Sequence, residues 1–127
     1  MKRYVLTVDL RDDPDAIAAY REHHRRVWPE VVESLRAVGV RHMDIHQLGR
    51  RLVMVVVMED GLDITRAFAR HAASSPRVAE WERLMKSLQE PVEGAQPGES
   101  WALMDEVYRL DDEGSATTQF PKRVRRP

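Results

Sequence analysis

"RLVMVVVME" at residues 51–59 is the stretch whose reading decides the fold. At a period of two, Leu52, Met54, Val56 and Met58 fall on one face of a strand, and Val53, Val55 and Val57 on the other. Both faces are therefore apolar, and such a strand needs cover on two sides. Just before it, "VRHMDIHQL" (40–48) also reads as a strand, and Gly49-Arg50 supplies the length and the glycine of a hairpin turn.

Outward from the hairpin, "RYVLTVDL" (3–10) sets Tyr4, Leu6, Val8 and Leu10 against Val5, Thr7 and Asp9, again at strand period. "DDPD" (12–15) offers an aspartate cap and a proline in the first turn of a helix. Ile17, Tyr20, His24, Val27, Val31, Leu35 and Val38 follow at spacings of three and four, up to Gly39. Pro29 interrupts that stripe and pushes Trp28 away from helical angles, which predicts a kink or a break with Pro29 restarting the helix. Residues 62–72 and 76–89 predict two short helices broken near Ser74-Ser75-Pro76, the second with Val78, Trp81, Met85 and Leu88 on its apolar stripe. A Pro/Gly-rich loop (91–100) leads to a last strand, "WALMDEVYRL" (101–110). The order βαββαβ predicts an α+β fold of the ferredoxin-like kind, in one domain over residues 1–110. Residues 111–127 lack periodicity and read as a flexible C-terminal tail, with Lys122, Arg123, Arg125 and Arg126 solvated. The helices suffice for one face of the sheet, so a second subunit is expected on the other.

Composition narrows the function. The chain has 127 residues, 43% hydrophobic and 32% charged, with 20 basic against 21 acidic side chains and a net charge of −1. That balance gives no field for nucleic acid or an anionic membrane surface. The absence of cysteine excludes disulfides, thiolate metal sites and cysteine nucleophiles. Without a leader pattern or an apolar run approaching ~18 residues, a cytoplasmic protein with no membrane partner is expected.

Three constellations could carry chemistry. Tyr20 and His24, four apart, stack on the apolar face of their helix, whereas His23 is predicted to be solvated. Polar rings there are either satisfied core groups, the histidine bonded to a backbone carbonyl, or the lining of a pocket in which His24 exchanges protons near neutral pH. His42, Asp44 and His46 point the same way from one strand. A metal reading is weak, because residues two apart on a strand are separated by ~7 Å (~3.3 Å per residue). No metal or other cofactor is expected. Trp81 sits on the buried stripe with Glu82 at its edge: either a core indole beside a solvated carboxylate, or the aromatic plane and hydroxyl acceptor that commonly furnish sugar pockets, and the residue types alone fit both.

Taken together, Tyr20-x3-His24-x3-Trp28-Pro29-Glu30, the hairpin, "EWERLM" (80–85) and "DEVYRL" (105–110) resemble the L-rhamnose mutarotase family, over residues 2–110. "PRVAEWERLM" (76–85) and "QPGESWALM" (96–104) are similar to a branch associated with L-fucose. The resemblance implies a dimeric α+β barrel whose sheets pack together, and no cofactor. It also implies an isomerase, a sugar 1-epimerase acting on a 6-deoxyhexose monosaccharide. It places the catalytic proton donor on His24 and substrate contacts on Tyr20 and Trp81. A second tryptophan of the family becomes Glu82, and a sugar-contacting strand tyrosine becomes Met43, so the sugar preference is expected to differ. The second acid/base group is expected at Glu82, or at Asp44 or His46 if their strand face opens to the pocket. Two alternatives use the same architecture: a small cofactor-free monooxygenase and a non-catalytic sugar-binding module.

Overall fold

A computed structural model describes residues 1–111 and 116–117; the rest of the tail expected over 111–127 lies outside the described residues. Strand β1 (Lys2–Leu10) is followed by helices α1 (Pro14–His23) and α2 (Pro29–Ala37), then by strands β2 (Val40–Leu48) and β3 (Arg51–Met58). Helices α3 (Ile64–Ala72) and α4 (Pro76–Ser87) come next, then the short strands β4 (Gln89–Glu90), β5 (Ala102–Leu103), β6 (Arg109–Leu110) and β7 (Ala116–Thr117). The sheet order is β2-β3-β1-β4, with β5 also on β1 and every pairing antiparallel. This is the ferredoxin-like α+β arrangement that the order of elements predicts.

Backbone chemistry explains the boundaries. The Asp13 carboxylate accepts from the Asp15 amide at 3.0 Å and caps α1. Ser75 Oγ accepts from the Val78 amide at 3.2 Å and caps α4. The predicted interruption is a clean break: Trp28 is extended (φ −60°, ψ 136°) and Pro29 opens α2. In the hairpin, Leu48 pairs with Arg51, and Gly49 takes φ +60° at the first central position of the turn.

The register fixes which residues share a face. Leu6 opposes Met54 and Val8 opposes Leu52, and β2 places Met43 opposite Val56 and Ile45 opposite Met54. These residues form the helix-facing side, where Leu6, Val8, Leu10, Leu52, Met54, Val56 and Met58 are buried. The other side carries Val53, Val55 and Val57, only half-buried, beside His42, Asp44 and His46. Asp9 also lies on that side, where Arg51 Nε donates to its carboxylate at 2.5 Å.

The last strand departs from the reading of residues 101–110 as one strand. Ala102 and Leu103 pair with Thr7 and Leu6, whereas Gln89 and Glu90 occupy the β1 edge beside Leu10 and Asp9. Past the bond from the Met104 amide to Val5 O at 2.8 Å, the chain leaves the sheet. Asp105 and Glu106 are poor strand formers, and Val107, Tyr108 and Leu110 are exposed. Arg109–Leu110 instead pairs with Ala116–Thr117. The α4 stripe likewise ends earlier than predicted, at Ser87, because Gln89 already belongs to the β1 edge.

Two substitutions test this packing. Leu52 is 1% exposed, so Leu52→Ala is expected to cost about 2–5 kcal/mol in urea unfolding. Gly39 has φ +106°, and a Cβ there would run into the Leu62 side chain. Gly39→Ala is therefore expected to cost about 1–3 kcal/mol, read as a lower midpoint at unchanged slope.

Candidate active site

Between the helices and the inner side of the sheet lies a cavity of about 470 Å³. Its wall combines apolar side chains, among them Val31, Leu35, Ile45 and Met54, with a few polar groups, the usual make-up of a small-molecule site. Tyr20 and His24 from α1, Met43 from β2, and Trp81 and Glu82 from α4 all line it, so five residues singled out in the sequence meet here.

The break before Pro29 builds one wall. Because α1 ends at His23, His24 is its C-cap, and its ring lies on Tyr20 with centroids 4.3 Å apart. Nδ1 of His24 lies 2.9 Å from the Tyr20 carbonyl oxygen. A carbonyl only accepts, so Nδ1 carries the proton and Nε2 has its lone pair free. Both descriptions of these rings hold: they are satisfied core groups, and they line a pocket. Burial pulls the His24 pKa below the ordinary histidine value, opposed by its bond to Tyr20 O, so the ring is neutral near pH 7. Tyr20, 4% exposed, is driven well above the usual phenol range by burial. The Gln89 side chain, which also lines the cavity, pulls the other way.

Trp81, 4% exposed, is the hub of the aromatic wall. The His24 ring stands edge-on to it at 5.4 Å and Trp28 at 5.1 Å. Arg77 lies over the outer face of Trp28 at 3.5 Å, a cation–π contact that closes the stack. His23 differs from its expected solvation: it is half-buried, with its ring 6.2 Å from Trp81.

Asp44 and His46 lie outside this cavity. They project from the opposite side of β2 and border a shallow depression at its edge. Asp44 bridges two imidazoles there, with His42 Nε2 at 2.7 Å and His46 Nε2 at 2.8 Å, and the bond from His42 leads in pulling its pKa down. No group of three or more His, Asp or Glu side chains suited to a metal ion occurs among the described residues. None of the described helices is long and apolar enough to cross a membrane.

His71 and Trp101 are among the lining residues that the sequence reading did not single out. His71, 5% exposed, belongs to the stripe Ile64, Ala67, His71 of α3, and its spacing of three and four is legible in the sequence. Its Nδ1 lies 2.8 Å from Ser34 Oγ, and its Nε2 lies 3.6 Å from Glu82 Oε2. Trp101, the first residue of the stretch expected as the last strand, lines the cavity from just before β5.

Comparison with known proteins follows the same line. The sequence model of the L-rhamnose mutarotase family matches residues 3–110. An L-fucose mutarotase of Xanthomonas campestris pv. campestris is 38% identical over 114 residues, covering 88% of this chain and 90% of that protein. Among solved structures, an L-rhamnose mutarotase of Formosa agariphila superposes with a TM-score of 0.61 at 18% identity, over 87% of this chain and all of that one (100%). The tetracenomycin F2 cyclase of Streptomyces glaucescens, a type-II polyketide cyclase, reaches 0.52 at 19% identity over 80% of this chain and 92% of its own, a likeness of fold alone. A family match over nearly all described residues, a relative matching over most of both chains and a shared fold lead to one conclusion: the chain belongs to the L-rhamnose mutarotase family and is an isomerase.

Proposed function

We propose that the chain is an aldose mutarotase that interconverts the α and β pyranoses of a 6-deoxyhexose by general acid–base catalysis, with L-fucose preferred over L-rhamnose. The observation that carries this reading is the convergence of His24, Tyr20 and Glu82 around the Trp81 indole in one cavity. Anomer exchange passes through the open-chain aldehyde. One group takes the proton of the anomeric hydroxyl while another delivers a proton to the ring oxygen, each typically worth ~10²–10⁴-fold. His24 and Glu82 are the two groups positioned for it. Tyr20 orients the sugar through its hydroxyl, and Trp81 packs against the C–H face and methyl group. The preference for L-fucose is supported by the 38% identity to an L-fucose mutarotase and by Glu82, a hydrogen-bond acceptor at the cavity wall.

The same reading includes a cytoplasmic homodimer. Val53, Val55 and Val57 are half-buried on the side of the sheet away from the helices, as a surface waiting for cover would be. A Val55→Asp variant is expected to sediment as a monomer where the unaltered chain sediments as a dimer; equal masses would remove the dimer.

Saturation-transfer NMR with L-fucose and L-rhamnose in parallel tests the catalysis. The protein is expected to accelerate exchange, L-fucose the more. His24→Ala is expected to lower kcat by ~10²–10⁴-fold. Trp81→Ala acts mainly on KM, because packing on the sugar is lost in ground and transition states alike. Saturable binding without faster exchange would replace the enzyme with a sugar-binding module. Since burial lowers the His24 pKa, its neutral form persists below the pH at which an ordinary histidine protonates. The acid limb of the rate profile is expected on that lower side, and an acid limb at or above the ordinary histidine value would remove His24 as its origin.

A further inference from the structure

Counting hydroxyl hydrogens behind the cavity wall fixes the state of His71. Ser74 Oγ donates to the His71 carbonyl oxygen at 2.8 Å, which uses its one hydrogen. Across the 2.9 Å contact between Ser34 Oγ and Ser74 Oγ, Ser34 must then be the donor. With the Ser34 hydrogen so engaged, the 2.8 Å contact to His71 Nδ1 can only be donated by the imidazole. His71 therefore holds a proton on Nδ1 and turns Nε2 toward Glu82 Oε2, 3.6 Å away. A bare Nε2 lone pair facing an ionised carboxylate would be repulsive, the His71 side chain being 6% exposed and that of Glu82 36%. One proton between the two removes that repulsion.

We propose that His71 is a positioning residue that keeps a transferable proton on the Glu82–His71 pair, making Glu82 the proton donor to the sugar ring oxygen while His24 accepts the anomeric proton. This rests on the mutarotase reading and deepens it. In ring opening, His24 Nε2 takes the proton of the anomeric hydroxyl, and the C1–O1 bond becomes a carbonyl. The C1–O5 bond breaks with its electron pair going to O5, which receives the proton of the pair. His24 gains one positive charge and the pair loses one, so charge balances. After rotation about C1–C2, closure on the other face returns both protons, and His24 is then the donor.

The pair is tested in two ways that fail separately. Nitrogen-15 spectra of histidine-labelled protein are expected to show His71 protonated on Nδ1 near neutral pH, with its Nε2 resonance moved by Glu82→Gln. A His71 ring protonated on Nε2 alone, or an Nε2 resonance indifferent to Glu82→Gln, would overturn the inference whatever the sugar chemistry. In the kinetic arm, His71→Asn keeps an amide donor near Ser34 but reaches nothing at Glu82. It is expected to lower kcat on the order of 10-fold at similar KM, less than the ~10²–10⁴-fold of a group that itself transfers the proton. If His71→Asn fails to fold, Ser34→Ala, which removes the acceptor of His71 Nδ1 at a half-buried position on α2, is expected to lower kcat in the same direction at similar KM, and an unchanged kcat there overturns the role of His71. Exchange at the wild-type rate in His71→Asn overturns the role of His71 and leaves the mutarotase standing. No exchange with either sugar removes both.

Discussion

Proline lacks an amide hydrogen, and its ring excludes helical backbone at the residue before it; at Trp28-Pro29 this constraint shapes the site. An unbroken helix from Pro14 to Ala37 would carry His24 and Trp28 along one straight face. The break ends α1 at His23, makes His24 a cap bonded to Tyr20 O, and extends Trp28 so that its ring meets Trp81 on α4. The helix that restarts at Pro29 brings Val31 and Leu35 over the sheet and Ser34 against His71. Both walls of the cavity thus follow from one imide.

The sheet supplies the complementary floor. The two-residue hairpin at Gly49-Arg50 sets a register in which Met43 and Ile45 face the helices, while Asp44 and His46 face away. Shifting that register by one residue would exchange the two sets. The position of an acid in this protein is therefore decided by a turn as much as by the acid itself. Glu82 escapes this rule because it rides on α4, whose Ser75 cap and buried Val78, Trp81 and Met85 leave it at the cavity edge.

How much of this was legible in the sequence depended on whether the signal was periodic. Strand alternation around residues 51–59, the proline that opens α2, the aspartate cap of α1 and the break near Ser74-Ser75-Pro76 are local, and they carried the fold. Tyr20 and His24 stood out because polar rings on an apolar stripe are conspicuous. His71 follows the same spacing, but its helix is rich in alanine and arginine, so the apolar stripe it belongs to is short and weak. Trp101 opens the stretch expected as the last strand, but its place is set by where the long loop rejoins β1. The last strand was overread for a related reason: alternation in "WALMDEVYRL" is genuine, but the edge it would occupy is shared with Gln89–Glu90. Competition for one edge is a tertiary fact that a linear pattern does not contain.

The aromatic wall has one more consequence. The chain holds three tryptophans, and all three stand at this cavity: Trp81 and Trp101 in its lining, Trp28 edge-on to Trp81 under the Arg77 guanidinium. No indole elsewhere in the chain contributes a background. The intrinsic ultraviolet emission of the protein is thus a built-in optical gauge of a single place, so occupancy of the site can be followed without any attached dye.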